Sequence, residues 1–219
     1  MAVILCLETA TTNCSVAVAI DGEVKAIREE NNQKFSHAEK LHVFIEEVLN
    51  EANIDKKKLD AVAVSKGPGS YTGLRIGVSA AKGLCFALDI PLISTSTLEV
   101  LAQQVNLSNG HIIPLLDARR MEVYSAVYTS DKNQVRETKA EILNENSFID
   151  FLEKGKTVFI GDGAVKLEAI CNHENGVFKK NLFPSSADMV SLAEAKYKIS
   201  DTENVAYFEP FYLKEFMMG

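Results

Sequence analysis

The sequence predicts an α/β protein made of two halves of like order, each a mixed sheet covered by helices. Three observations lead there. Strand-type apolar runs alternate with helical stripes along the whole chain. Two of those runs, Val3–Leu7 and His111–Leu116, stop at an acid in a polar turn, Glu8 and Asp117. After the polar break Asn106-Leu107-Ser108-Asn109-Gly110 the order of elements partly restarts, which sets expected lobes at 1–105 and 106–219.

Val3–Leu7 is apolar throughout, as a strand covered on both faces should be. Glu8–Asn13 is a polar turn, and Cys14–Ile20 a second strand. Asp21-Gly22 signals a two-residue hairpin into an alternating strand at Glu23–Ala26. Ser36 with Glu39 makes a capping box, and Leu41, Phe44, Ile45, Val48, Leu49 and Ala52 form one helical stripe. Ala61–Val64 is a short buried strand; Gly67–Gly73 is a loop; a helix is expected from about Gly73 to Leu88. Leu92-Ile93 is a brief strand, and Ser96 with Glu99 caps a helix ending near Val105. In the second half, strands are expected at His111–Leu116, Val123–Tyr128 and beyond the turn Thr129–Asn133. Ser147 with Asp150 opens a helix, and Thr157–Ile160 is a strand broken by Gly161-Asp162-Gly163.

Composition narrows the function classes. The chain has 219 residues, 47% hydrophobic and 24% charged, so it can bury a real core. Lys plus Arg is 23 against 30 for Asp plus Glu, a formal charge of −7, which argues against an independent nucleic-acid binder with a basic face. No apolar run approaches the roughly 18 residues needed to cross a bilayer, and the N-terminus lacks a basic leader, so the expected address is the cytoplasm. Cys6, Cys14, Cys85 and Cys171 show no C-x-x-C spacing and read as small apolar groups in a reducing compartment.

The loop Gly67-Pro68-Gly69-Ser70-Tyr71-Thr72-Gly73 comes after a strand and opens a helix, a setting that suits an anion. It is not a Walker A loop, because Leu74 stands where Lys is required. A tight strand-to-helix connection explains its Gly and Pro equally well. Gly73, Gly77, Ala80, Ala81 and Gly83 cluster small residues on the next helix, suiting close packing on its own sheet or on another chain. Glu8 and Asp117 end strands at polar turns, where acids can hold a metal–phosphate complex. Thr9, Thr11 and Thr12 could donate to phosphate, and Gly161 and Gly163 could form a second phosphate-contacting turn; hairpin chemistry is the alternative. His37 and His42 lie five apart and do not share a helical face, no H-E-x-x-H occurs, and no metal site is expected. No G-x-S-x-G elbow supports a serine peptidase, and Lys56-Lys57-Lys58 reads as a solvated run.

The run Gly67–Gly77, after the opening Leu5-Cys6-Leu7-Glu8-Thr9-Ala10-Thr11, resembles the bacterial TsaB family, formerly YeaZ. Ser36–Leu41, Ser96-Thr97-Leu98-Glu99 and Asp117-Ala118-Arg119-Arg120-Met121-Glu122-Val123-Tyr124 agree with it. So does Pro210-Phe211-Tyr212-Leu213-Lys214, with Lys in place of the family's Arg.

The resemblance implies a two-lobed actin/Hsp70/sugar-kinase-like fold. It implies a role in forming the threonylcarbamoyl group on N6 of adenosine 37 of ANN-decoding tRNAs, as the non-catalytic partner of a larger relative, TsaD, with an ATPase, TsaE, joining. The catalytic relative's H-x-x-x-H falls here on Thr97-Leu98-Glu99-Val100-Leu101, and neither Thr97 nor Leu101 replaces an imidazole. The family pairs two helices with their equivalents on the partner. That places the expected interface at Leu41, Phe44, Ile45, Leu74, Arg75, Gly77, Val78, Ala81 and Lys82. No cofactor is required, although ATP or ADP at the subunit junction, reached by Glu8, Thr9, Thr11, Gly161 and Gly163, is compatible with the fold. A homodimer of the isolated chain is equally compatible, and tRNA is expected to be met only through the complex. The alternative reading is a nucleotide-binding ATPase or kinase of the same fold.

Overall fold

β1 (Val3–Glu8) lies in the middle of its sheet, which explains its unbroken run of buried residues. In the computed structural model, which describes residues 1–31 and 37–214, β1 pairs antiparallel with β2 (Asn13–Ile20). β2 pairs in the same way with β3 (Glu23–Asn31). Asp21 and Gly22, at φ +51° and +78°, close the hairpin between them as expected. Parallel pairing then adds β4 (Ala61–Gly67) and β5 (Leu92–Ser96), giving the order β3-β2-β1-β4-β5. β3 runs farther than the alternation at Glu23–Ala26 suggested, because β2 supplies ladder partners as far as Asn31.

Successive residues of β1 point to opposite faces. Val3, Leu5 and Leu7 join the core beneath α1 (His37–Glu51) and α2 (Tyr71–Leu88). The expected stripe of α1 is the buried one: Leu41, Phe44, Ile45, Val48 and Leu49 pack with Val16 and Val18 of β2. Each such side chain contributes about 1.5–3 kcal/mol by leaving water. α2 begins two residues before the expected Gly73, because Ser70 caps it by accepting from the Gly73 N–H at 3.3 Å. Ser36, the expected cap of α1, lies outside the described residues.

The other face of the same sheet is lined by Ala2, Ile4, Cys6, Ala17, Ala19, Ala61, Ala63 and Ile93. Its cover comes from the far end of the chain: α6 (Ser186–Lys198) lays Met189, Val190 and Ala193 across it. Asn13 Nδ2 donates to the Pro184 carbonyl at 3.0 Å, and the Ser15 and Ser186 hydroxyls are 2.6 Å apart. The expected contiguous lobes, 1–105 and 106–219, are corrected accordingly. The first unit is Met1–Val100 with Pro184–Tyr212, and the second is Leu101–Phe183 continuing at Leu213. A sheet with two apolar faces needs two helical layers, and the sequence between β1 and β5 supplies one.

α3 (Thr97–Ala102) comes after β5 and is shorter than expected, giving way to turns at Gln104 and Val105. Ser96 Oγ, expected to cap it, finds no partner among the described residues. The second unit holds β6 (His111–Asp117), β7 (Glu122–Thr129), β8 (Gln134–Ile142), α4 (Ile149–Leu152), β9 (Thr157–Gly161), α5 (Ala164–Glu168) and β10 (Gly176–Lys180). Its order, β10-β9-β6-β7-β8, repeats the first sheet's scheme: an antiparallel meander beside the central strand, parallel strands on its other edge. Ser147 does not cap α4; Phe148 holds the cap position in the left-handed region, and Ser147 Oγ accepts from the Asn144 N–H instead. The expected elements end at Gly163, so α5, β10 and α6 are additions.

Candidate functional site

Glu8 ends β1 fully buried. One carboxyl oxygen accepts from the Ala10 N–H at 2.7 Å and the other from Ser65 Oγ on β4. Burial pushes its pKa up to about 7, against the lowering effect of those hydrogen bonds. The adjoining turn is clamped on the Gly-rich loop. Thr9 Oγ1 donates to the Gly73 carbonyl at 2.8 Å, and the Ser70 N–H donates to the Ala10 carbonyl at 2.7 Å. A Cβ at Gly73 would overlap the Thr9 carbonyl oxygen, and one at Gly77 would overlap Thr9 Oγ1. The His37 ring meets the Thr11 carbonyl at 2.7 Å through Nε2.

The glycines at 73 and 77 thus serve the close approach of the β1–β2 turn. This geometry bears on the expected nucleotide-contacting set of Glu8, Thr9 and Thr11. A metal–phosphate group needs a free carboxylate and hydroxyl; the Glu8 carboxyl and the Thr9 hydroxyl are turned inward and engaged and do not fit it, while Thr11 Oγ1 accepts from the Asn13 N–H at 3.3 Å. Gly161, at φ +123°, and Gly163 are likewise used in packing. A Cβ at Gly161 would overlap the Leu115 carbonyl oxygen, and the Gly163 N–H donates to that same oxygen at 3.0 Å.

Asp117 has a different setting. It is exposed, 2.8 Å from Lys166 Nζ, and its carboxylate accepts from the Arg119 N–H at 2.6 Å. Its own N–H donates to Asp162 Oδ1 at 2.9 Å. Burial raises the Asp162 pKa most, with the Asp117 charge adding to that rise and its backbone N–H opposing it.

The expected interface residues divide sharply. Leu41, Phe44, Ile45, Leu74, Val78 and Ala81 are all buried in the first unit, and Gly77 lies against Thr9. The apolar stripe of each helix is consumed by its own sheet, so the face left for a partner is the one turned away from it. Lys82 braces its own chain, donating to the carbonyls of Ala206 at 3.2 Å and Phe208 at 2.9 Å. Arg75 is exposed, stacks 4.1 Å from the centre of the Tyr71 ring and donates from Nε to Tyr212 Oη at 3.1 Å.

The outward face of α2 instead carries Thr72, Ser79, Gly83, Phe86 and Ala87, all exposed. Phe86 is 85% exposed and nothing lies within 4 Å of a Cβ built on Gly83. Lys82, Gly83, Phe86, Asn204, Val205 and Ala206 line a depression of about 570 Å³, next to Tyr207, which is 83% exposed. A large phenyl ring beside a bare helix backbone is a surface suited to a close-packed helix from another molecule. Sequence reasoning missed Phe86, Ser79, Ala87 and Tyr207. The signal was available for Phe86: it sits off the stripe Leu74, Val78, Ala81, Cys85, so a fold that buries that stripe leaves the phenyl outside. The outward face of α1 is acidic, with Glu39, Glu46, Glu47 and Glu51 exposed.

Among the described residues no group of three or more His, Cys, Asp or Glu is placed to hold a metal ion. Nor is any helix there long and apolar enough to cross a membrane.

The family model for TsaD, tRNA N6-adenosine threonylcarbamoyltransferase, matches residues 29–209. The tRNA threonylcarbamoyladenosine biosynthesis protein TsaB of Escherichia coli K12 is 32% identical over 96% of this chain and 94% of its own length. YeaZ from Pseudomonas aeruginosa superposes with a TM-score of 0.84 at 27% identity, covering 97% of this chain and 100% of that one. The (R)-2-hydroxyglutaryl-CoA dehydratase component A of Acidaminococcus fermentans reaches a TM-score of 0.53 at 10% identity over 92% of this chain and 100% of its own, a likeness of fold alone. The architecture is the actin/sugar-kinase-like α/β fold, as expected.

Proposed function

The chain belongs to the TsaB family of tRNA threonylcarbamoyladenosine biosynthesis proteins, within the wider family that the TsaD model describes, and on that premise we propose that it is a non-catalytic subunit which docks on and activates a TsaD-type transferase. The TsaD-type subunit performs the transfer to adenosine N6 of tRNA, a TsaE-type ATPase joins the pair, and the complex works in the cytoplasm. One observation carries this reading: the outward face of α2, where Phe86 stands almost fully exposed beside Gly83, Ala87 and Tyr207. An apolar ring left in water next to small helix residues gains free energy when a partner helix covers it. In the absence of the transferase, a second copy of this chain can cover the same face.

The non-catalytic role is supported by Thr97 and Leu101 at the positions of the relative's histidines, since neither side chain offers the nitrogen lone pair a metal needs. Both lie buried, Thr97 at 0% and Leu101 at 0% exposure. The ATPase or kinase alternative loses its footing where Glu8 is enclosed and the Thr9 hydroxyl engaged.

The test is reconstitution. The purified chain should transfer no threonylcarbamoyl group to tRNA alone and should support transfer once the TsaD-type subunit is added. Phe86→Asp should weaken pairing by calorimetry by at least about ten-fold while leaving the fold intact, since the side chain touches solvent. Transfer by the chain alone, or undiminished pairing of the variant, would overturn the proposal.

A further inference from the structure

The turn between β6 and β7 places two consecutive arginines, Arg119 and Arg120, in the left-handed region at φ +71° and +50°. They open a three-residue connection, Arg119–Met121, between Ala118 and Glu122, in a conformation that favours Asn or Gly and costs an ordinary side chain roughly 1–2 kcal/mol per residue. The turn is firmly held. The Ala118 N–H donates to the Glu122 carbonyl at 3.0 Å, the Glu122 N–H to the Arg119 carbonyl at 3.1 Å, and the Arg119 N–H to Asp117.

The acids that flank the turn are each paired, Asp117 with Lys166 and Glu122 with Lys214, while Asp162 accepts from the Asp117 N–H. Both arginines are exposed, and among the described residues neither guanidinium enters an ion pair. The acid excess of the chain falls almost entirely in the first unit, so this tip stands in a nearly neutral one. Strain kept at an exposed turn, with two cations left unsatisfied at its apex, is a feature that folding does not explain.

We propose that the Arg119–Arg120 turn is a contact for RNA backbone phosphates, gripping the substrate of the complex from this non-catalytic chain. The inference rests on the function proposed above, which brings RNA to the assembly. Guanidinium forks match phosphate oxygens in pairs, and a rigid turn presents them without an ordering cost at binding. The exposed apolar side chains at this tip are Met121 and, on the neighbouring strand, Ile142, together far less than the roughly 1,000 Å² that a stable protein contact requires. An RNA backbone needs only the charges.

The experiment uses the chain assembled with its TsaD-type subunit and an unmodified tRNA transcript, with binding followed across a KCl series. The double variant Arg119→Asn/Arg120→Gly removes both charges and gives the turn its favoured residues, so the unfolding midpoint should hold or rise. RNA affinity at low salt should fall by about ten-fold, and the slope of log K against log[KCl] should become shallower by roughly one to two. Arg119→Lys/Arg120→Lys should restore most of the slope. Unchanged RNA affinity and slope in the Asn-Gly variant would overturn the inference. Loss of pairing with the transferase at unchanged RNA affinity would also overturn it, in favour of an acidic protein contact. A wild-type complex that binds no RNA at any salt would bring down the proposed function together with this inference.

Discussion

Glu8 and Asp117 hold the same place in two sheets of the same scheme, each closing the central strand at a polar turn, yet they live in opposite surroundings. Glu8 is sealed beneath a turn clamped by the Gly-rich loop and α2, with both oxygens accepting internal hydrogen bonds. Asp117 stands at the surface, balanced by Lys166. The difference comes from the helix after the next parallel strand. After β4 an 18-residue helix, bare at Gly73 and Gly77, lets the β1–β2 turn sink in; after β9 the five-residue α5 leaves the β6–β7 turn outside. Duplicated topology therefore does not mean duplicated chemistry: the depth of the covering helix decides whether a strand-end acid is a buried structural group or a surface ion.

The comparison breaks most readily at Gly73. Gly73→Ala would drive a methyl group into the Thr9 carbonyl, and we expect a loss on the order of 4 kcal/mol or outright failure of the first unit, read by urea denaturation. A near-wild-type midpoint would show that the clamp is not what buries Glu8.

Titration sharpens the same contrast. The folded-state pKa of Glu8, about 7, lies above its ordinary value of 4.5, so the folded protein keeps a proton that the unfolded chain releases. Stability should therefore decline from about pH 4.5 to about pH 7 and level off above, by on the order of 3 kcal/mol across the window. Glu8→Gln keeps a neutral, hydrogen-bonding side chain and should flatten that decline in denaturation curves taken between pH 5 and 8. Asp117→Asn, at a surface ion pair, should cost about 1 kcal/mol or less; a loss as large as at Gly73 would erase the distinction between the two acids. The smallest change is expected at Gly83→Ala, which meets nothing within 4 Å and should stabilise the isolated chain by about 0.5–1 kcal/mol in thermal unfolding. If α2 docks on a partner helix, the same methyl should weaken pairing, so stability and affinity would move in opposite directions.

Much of the architecture was legible in residues. The apolar run of β1, the Asp21-Gly22 hairpin and the α1 stripe lie as expected because each arises from a local period or a turn preference. The candidate surface was less legible. A stripe such as Leu74, Val78, Ala81 says that a helix has a buried side without saying what buries it, and the sheet claims that side first. The residues left for a partner are those off the stripe, Phe86 and Gly83 among them.

By itself, then, the sequence determined the kind of element at most positions, the halves' shared order and the family, since these depend on neighbours within a turn or two along the chain and on motifs such as Gly67–Gly77. Tertiary structure alone decided that α6 seals the far face of the first sheet, that Gly73 and Gly77 of α2 admit the close approach of Thr9, and that Glu8 is enclosed while Asp117 is not. Those outcomes depend on contacts between residues sixty to more than a hundred positions apart, which no local pattern encodes.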